Sequence, residues 1–280
     1  MKVAFWSPVP GQAGVTASAI GVAVTMAAKG ERSCVLVDCH YDNHRLSDYL
    51  WRYECKELGQ YERALGMDAL FRYGNAQSVT REQLRAAAIS FMQEKLLLIT
   101  GTRKNNAQLF YGQLQENLAS ILKAAKELQG YVFFDVESGN RMESLSLLEQ
   151  MDQIIICMPQ NPMVIQEYFR KYSFPLSKIY FLLGNYRKES GFNKRNLQKQ
   201  FRNFHSYNIG TISYCSTYGD ALCRGEGLRY LMRNTNTSQL WKKQSLLMEE
   251  LEQVQKQLVS RLEGKEKHIE TTEKRNPFIR

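Results

Sequence analysis

The sequence predicts an α/β fold: a doubly wound, mostly parallel sheet of about seven strands with helices on both faces, followed by a C-terminal helix. Short apolar or aromatic runs recur along the chain, and helix-length segments separate them. Four runs, VLVD, LLLIT, YVFFD and IIICM, are almost continuously hydrophobic, which is typical of strands buried on both faces of a parallel sheet. Alternation of such strands with helices is typical of a doubly wound domain.

Each element follows from the same pattern. The predicted strands are residues 2–6, 34–38, 96–100, 131–135, 153–158, 178–184 and 208–212. The predicted helices between them are residues 16–29, 81–94, 108–129 and 194–204. The connection 41–94 is too long for one structureless loop, so we expect it to contain two or three helices.

The C-terminal part differs in character from the rest of the chain. We expect a main domain of residues 1–235, a C-terminal amphipathic helix of residues 236–263 and a flexible tail of residues 264–280. From Leu240 to Leu262 the apolar residues recur at spacings of seven, four, three, four and four, so they form one stripe on a helix. The polar side mixes acidic and basic residues, which favours packing on the domain or on a partner helix over membrane contact.

Composition indicates a soluble cytoplasmic protein. The chain has 280 residues, of which 44% are hydrophobic, so it can bury a sizeable core. Its six cysteines are scattered without a CxxC pair, which indicates a reducing compartment and no disulfide framework. No uninterrupted apolar run reaches the length of about 18 residues that a membrane span needs.

The net charge of +9 lies entirely in the second half of the chain, because residues 1–150 are balanced. A dense basic segment, 186–204, contains Arg195, Lys199 and Arg202 at spacings of four and three, so a helix would place these three on one face. Such a face suits non-specific contact with DNA phosphates. An ordinary solvated helix face is the alternative.

Polar residues at strand ends mark the candidate site. Asp38, Asp135 and Asn185 each close a predicted strand, and a glycine-containing loop follows the first strand. Parallel sheets bind ligands beyond the carboxyl ends of their strands, so these elements are expected to converge. Taken alone, the loop has a purely structural alternative, in which Gly11 and Gly14 only permit a tight turn from strand to helix and bind no ligand.

Together these motifs resemble the ParA/MinD group of deviant Walker-A P-loop ATPases over residues 1 to about 234. Pro10 to Ala17 aligns with the family loop KGGxGKTT, and Asp135-Val-Glu-Ser-Gly139 resembles its Walker-B and switch segment. Asp38 matches the aspartate after the second strand, and Asn185 the asparagine that reads adenine. The resemblance implies a P-loop NTPase-like fold and ATP or ADP with Mg²⁺. It places the phosphate loop at Gly11, Gln12, Ala13, Gly14, Val15, Thr16 and Ala17, and the Mg²⁺ site at Thr16, Asp38 and Asp135.

The departures from the family pattern concern catalysis. Pro10 and Val15 stand where the family has its two lysines, and His40 replaces the second acid of the DxD motif that Asp38 begins. Backbone N–H groups at a helix N-terminus still attract phosphate. Phosphoryl transfer also needs positioned positive charge, so we expect hydrolysis to be absent or very slow. An arginine from elsewhere, Arg103, Arg141 or Arg224, is a candidate replacement.

These features lead to three functional hypotheses. The favoured one is a homodimeric positioning or assembly protein that uses nucleotide, if at all, as a binding switch. Within the group, TadZ-like members, which accompany pilus or secretion machinery, are the nearest analogy. The alternatives are a slow ATPase for plasmid or chromosome partitioning that binds DNA, and a nucleotide-free pseudo-ATPase scaffold.

Overall fold

An eight-stranded sheet with strand order β3-β4-β2-β5-β1-β6-β7-β8 forms the centre of the molecule. The structure is a computed structural model that describes residues 1–30, 32–41, 46–52, 65–104, 106–128, 130–235, 245–262 and 264. All strand pairs are parallel except β3 with β4. The strands are β1 (Lys2–Trp6), β2 (Cys34–Cys39), β3 (Ile89–Phe91), β4 (Leu96–Ile99), β5 (Tyr131–Val136), β6 (Gln153–Met158), β7 (Ile179–Tyr186) and β8 (Ile209–Ser213).

Eleven α-helices cover the two faces of the sheet in the described part of the chain. They are α1 (Val15–Lys29), α2 (Leu46–Leu50), α3 (Gly66–Ala76), α4 (Arg81–Ala86), α5 (Ala107–Glu127), α6 (Met142–Glu149), α7 (Pro162–Lys171), α8 (Lys194–Gln200), α9 (Ser216–Cys223), α10 (Gly227–Thr235) and α11 (Leu246–Leu262). Helices α3 to α8 pack on one face of the sheet, and helices α1, α2, α9, α10 and α11 pack on the other. The doubly wound α/β prediction is therefore confirmed.

The predicted helix 81–94 is wrong in its second half. Helix α4 ends at Ala86, and Ile89–Phe91 forms the antiparallel edge strand β3. Three consecutive residues, Met92, Gln93 and Glu94, have positive φ angles of 55°, 56° and 65°, which turn the chain sharply into β4. This hairpin adds one strand to the seven that the sequence predicts.

Helix α11 is an integral part of the helical layer. Leu247, Leu251, Val254 and Leu258 are buried in the core that contains α1. Its buried Glu250 accepts hydrogen bonds from the hydroxyl of Thr211 (2.7 Å) and from the backbone N–H of Ser213 (2.6 Å) on β8. Residues 236–244 and 265–280, which belong to the predicted C-terminal helix and tail, lie outside the described residues. Among the helices that the structure describes, none has the length and apolarity needed to cross a membrane.

Candidate functional site: the loop after the first strand

The loop between β1 and α1 has the backbone shape of an anion cradle. Gly11 and Gly14 adopt φ angles of 71° and 59°, which residues with a Cβ seldom take. Gly14 is the N-cap of α1 and supplies no side-chain cap. The first backbone N–H groups of a helix have no intrahelical acceptor, so those of the first turn, which begins at Val15, remain available to an anion at the positive end of the helix dipole.

Strand β7 closes the loop from the side. A Cβ on Gly184 would lie 1.9 Å from the carbonyl oxygen of Ala13, so only glycine permits this approach. The Nδ2 of Asn185 lies 3.4 Å from the carbonyl oxygen of Gln12, and its side chain covers Gly14. Asn185 has a φ of 49° and is exposed. The structure therefore brings the predicted Asn185 against the predicted loop.

The two predicted acids lie side by side on neighbouring strands. Asp38 on β2 and Asp135 on β5 are register partners, and each is only 1% exposed. Asp38 accepts hydrogen bonds from the backbone N–H groups of His40 (3.1 Å) and Leu46 (2.9 Å). Burial raises the pKa of the Asp38 carboxyl from 3.8 to about 6, with His40 opposing the shift and Asp135 adding to it.

His40 occupies the space beside these carboxylates. Its Nε2 lies 3.6 Å from Asp135 Oδ2, so the imidazole contacts one of the two buried carboxylates. Among the described residues, Asp135 Oδ1 is a buried oxygen without a hydrogen-bond partner. A buried, unsatisfied carboxylate oxygen fits a water ligand of Mg²⁺. Asp38, the register partner of Asp135, is a second oxygen donor of the kind that this metal prefers.

The two loop positions that the resemblance aligns with lysines carry no positive charge. Pro10 is exposed and Val15 is buried at the first position of α1, so neither loop position supplies a cation. The loop can hold phosphate through backbone N–H groups alone. Without a cation from either position, the loop is poorly suited to stabilising charge that develops during phosphoryl transfer.

An open cleft of about 670 Å³ adjoins the loop between Pro8 and Pro10 and the segment 137–143. Arg141 lines this cleft, and its guanidinium lies over the rings of Tyr41 (5.5 Å) and Tyr111 (4.7 Å). Its Nε also donates to Glu137 at 2.9 Å. Arg141 is thus a candidate arginine that lines the same cleft as the loop prolines, and these partners hold it in place.

Sequence reasoning missed the residues that hold Arg141. The Tyr111 hydroxyl donates to Glu137, which places a helix α5 side chain in contact with the switch segment. The signal that was available is the spacing of four between Glu137 and Arg141, which suits an ion pair. Tyr41 and Tyr111 carried no local signal because their approach depends on the tertiary fold.

The predicted DNA-binding face is only partly a helix face. Arg195, Lys199 and Arg202 are all exposed, but α8 ends at Gln200. The prediction that one helix aligns all three residues is therefore wrong. The chain leaves the helix there because Phe201 and Phe204 turn inward and pack on each other and on Phe169.

The fold and loop geometry define the class: an α/β protein with a P-loop-type turn between its first strand and helix. A ParA family ATPase from Chlorobium tepidum is similar over 91% of this chain and 98% of its own (TM-score 0.66, 13% identity). A McdA variant from Cyanothece in complex with ATP is similar over 92% and 96% (TM-score 0.58, 15% identity). The septum site-determining protein MinD from Pyrococcus horikoshii, complexed with Mg-ADP, is similar over 93% and 99% (TM-score 0.57, 14% identity).

These structural likenesses show that the fold is that of the ParA/MinD ATPases. No protein-family model matches the chain, and no curated protein matches it in sequence.

Proposed function

We propose that the protein is a ParA/MinD-like positioning or assembly protein of the cytoplasm that binds nucleotide as a dimerisation switch and hydrolyses it very slowly or not at all. The observation that carries the proposal is the loop itself. Its Gly11 and Gly14 keep the positive φ angles of a phosphate cradle, while Pro10 and Val15 remove both cations. The loop would therefore still bind phosphate through its backbone, but it would not stabilise the charge that develops when phosphate is transferred.

Different residues of the site would bind the phosphates, the metal and the base. The first-turn N–H groups of α1 would hold the phosphates, and Thr16, Asp38 and Asp135 would hold Mg²⁺, which neutralises phosphate charge when bound. Asn185 would position the base from the β7 side. His40 lies 3.6 Å from Asp135 and leaves no second acid to orient water. Without rapid turnover the protein would not cycle between dimer and monomer but would stay in a long-lived nucleotide-bound state.

The cysteines and two exposed methionines agree with a cytoplasmic dimer. The five described cysteines are free thiols, as expected in a reducing compartment. Met142 and Met163 are 74% and 78% exposed on α6 and α7, and Met142 lines the cleft beside the loop prolines. Exposed methionines are common at protein contacts, so we place the homodimer contact, or a protein partner of a pilus or secretion apparatus, at this cleft.

Calorimetry with Mg-ADP and Mg-ATP, with a hydrolysis assay alongside, tests the proposal. We expect binding without rapid turnover, weakened by Thr16→Ala. A Val15→Lys variant restores one cation and should raise Mg-ATP affinity roughly tenfold or more, because a charge-assisted hydrogen bond to phosphate is added. Val15→Met is the matched control, since it lengthens the side chain without charge.

The outcomes separate the three hypotheses. Turnover that Thr16→Ala abolishes would rule out the nucleotide-free pseudo-ATPase scaffold. No binding at millimolar nucleotide by the wild type, together with no gain in Val15→Lys, would establish the nucleotide-free scaffold.

DNA partitioning is a second candidate function because Arg195, Lys199 and Arg202 are all exposed. Reversal of the three charges to glutamate should abolish salt-sensitive binding to non-specific duplex DNA. Arg170 is exposed on α7, so Arg170→Glu serves as the control for a charge reversal outside this surface. DNA binding that survives the triple change would exclude this surface.

A further inference from the structure

An apolar groove lies between the end of α2 and helix α10, on the face of the sheet that carries α1. It has a volume of about 300 Å³ and is lined by Leu50, Trp51, Leu228 and Met232. Trp51 stacks on Phe91 of the edge strand, with ring centroids 4.8 Å apart. The floor of the groove is therefore a fixed aromatic and aliphatic surface.

A backbone contact holds the wall of the groove. The backbone N–H of Arg52 donates to the carbonyl of Gly225 at 3.0 Å. Gly225 has a φ of 71°, and a Cβ there would lie 2.1 Å from the Cβ of Arg52. The loop that precedes α10 is thus held tightly against the end of α2, as in a preformed binding site.

The groove continues toward the sheet edge. A second depression of about 310 Å³, lined by Ala28, Met92, Gln93 and Lys95, shares Met232 with the first. Leu228 and Met232 are one turn apart on α10, a rise of about 6 Å. Apolar side chains at i, i+4 and i+7 of a docked helix have the spacing to fill such a track.

The charged side chains among the described residues that line this track are mostly basic. Arg229 and Arg233 line the first depression and Lys95 lines the second, whereas Glu226 is the one carboxylate among the described lining residues. Glu226 itself contacts Arg229 at 3.9 Å. An occupant that buries apolar side chains here meets this basic rim, which selects for acidic flanks. We propose that the groove is a docking site for an acidic amphipathic helix of a partner protein.

A synthetic probe tests this chemistry directly. The probe is a fluorescein-labelled peptide of about 14 residues, with leucines at i, i+4 and i+7 and glutamates elsewhere; its match has lysines in place of the glutamates. Fluorescence anisotropy with the full-length protein should show at least roughly tenfold tighter binding of the acidic peptide, lost as salt rises. The emission of Trp51 should shift to shorter wavelength on binding.

Two variants locate the binding. Arg233→Glu should weaken the acidic peptide roughly tenfold, and Met232→Glu should abolish binding, whereas Arg170→Glu on the opposite face should change nothing. Equal binding of the two peptides, or binding that both groove variants leave intact, would overturn the proposal. It would also be overturned if the wild type self-associates in light scattering and Arg233→Glu abolishes this, since a second copy would then fill the groove.

Discussion

The Nε2 of His40 lies 3.6 Å from the Oδ2 of Asp135. Asp135 is 1% exposed and its strand neighbour Asp38 is equally buried, so the imidazole lies against a pair of carboxylates that share a low-dielectric site. The imidazole at position 40 therefore adds no negative charge beside these two carboxylates, whereas a third carboxylate would. The first prediction concerns the substitution of His40 by an acid.

Restoring an acid at position 40 should destabilise the protein. In His40→Asp a third carboxylate faces Asp135, and like charges in a buried site repel strongly. We expect the free energy of unfolding at pH 7 to fall by roughly 1–3 kcal/mol in urea denaturation. His40→Asn, of similar size and without charge, should lose less than half as much. Equal losses in the two variants would show that charge is not the cause.

The second prediction concerns the pH dependence that Asp38 confers. Its pKa in the folded protein is raised from 3.8 to about 6, chiefly by burial. Between these values the folded state keeps a proton that the unfolded state releases. The stability that this proton contributes is therefore full below pH 3.8 and is lost as the pH rises through 6.

Asp38→Asn lacks this titration and makes the effect measurable. The unfolding free energy of the wild type minus that of the variant should fall by up to roughly 3 kcal/mol between pH 4 and pH 7. Urea denaturation of both proteins at several pH values measures this difference. The cost of placing an amide at position 38 is the same at every pH, so it does not affect how the difference changes with pH. A difference that is flat, or that rises with pH, would contradict the prediction.

The sequence was informative where a residue's role follows from its place on one strand. The pairing of Asp38 with Asp135 and the approach of Asn185 to the loop after β1 agree with the expectation that these elements converge, because parallel strands end at one edge of the sheet. Strand β3 could not be predicted, because three residues, Ile89–Phe91, are too few to distinguish a strand period from a helix period. The sharp turn that follows uses Met92, Gln93 and Glu94 at positive φ, without the glycine or asparagine that normally indicates it.

The contacts that complete the site depend on tertiary packing. The contact of His40 with Asp135 joins the residue after β2 to β5, and the stacking of Arg141 over Tyr111 joins segment 137–143 to α5. Neither has a local pattern, because residues 40 and 135 or 111 and 141 become neighbours only in the folded chain. For the same reason the end of α8 at Gln200, which separates Arg202 from the helix, followed from aromatic packing rather than from charge spacing.

The third prediction concerns the attachment of α11 to the sheet. Glu250 is 8% exposed and accepts hydrogen bonds from the Thr211 hydroxyl and from the N–H and hydroxyl of Ser213. Glu250→Ala leaves these donors without their acceptor, so the free energy of unfolding should fall by roughly 2–4 kcal/mol. The neighbouring Glu249 is exposed on the same helix, and Glu249→Ala should change stability by less than about 0.5 kcal/mol. Urea titrations followed by circular dichroism compare the two, and similar losses would show that the hydrogen bonds of Glu250 are not the cause.

The last prediction concerns the contact of β7 with the phosphate loop. A Cβ on Gly184 would lie 1.9 Å from the carbonyl oxygen of Ala13, and because both groups belong to the backbone, neither can move aside cheaply. Gly184→Ala should therefore displace the loop, lower the free energy of unfolding by roughly 3 kcal/mol and abolish any nucleotide binding that calorimetry finds in the wild type.

Gly219 provides the matched control for this substitution. It lies inside α9, and a Cβ there would meet nothing within 4 Å. Gly219→Ala should raise stability by about 0.5–1 kcal/mol because alanine loses less backbone entropy in a helix, and it should leave nucleotide binding unchanged. Thermal and urea unfolding of both variants separate steric displacement of the loop from a general effect of replacing glycine. If Gly184→Ala were as stable as the wild type, the loop would have to lie farther from β7 than this structure places it.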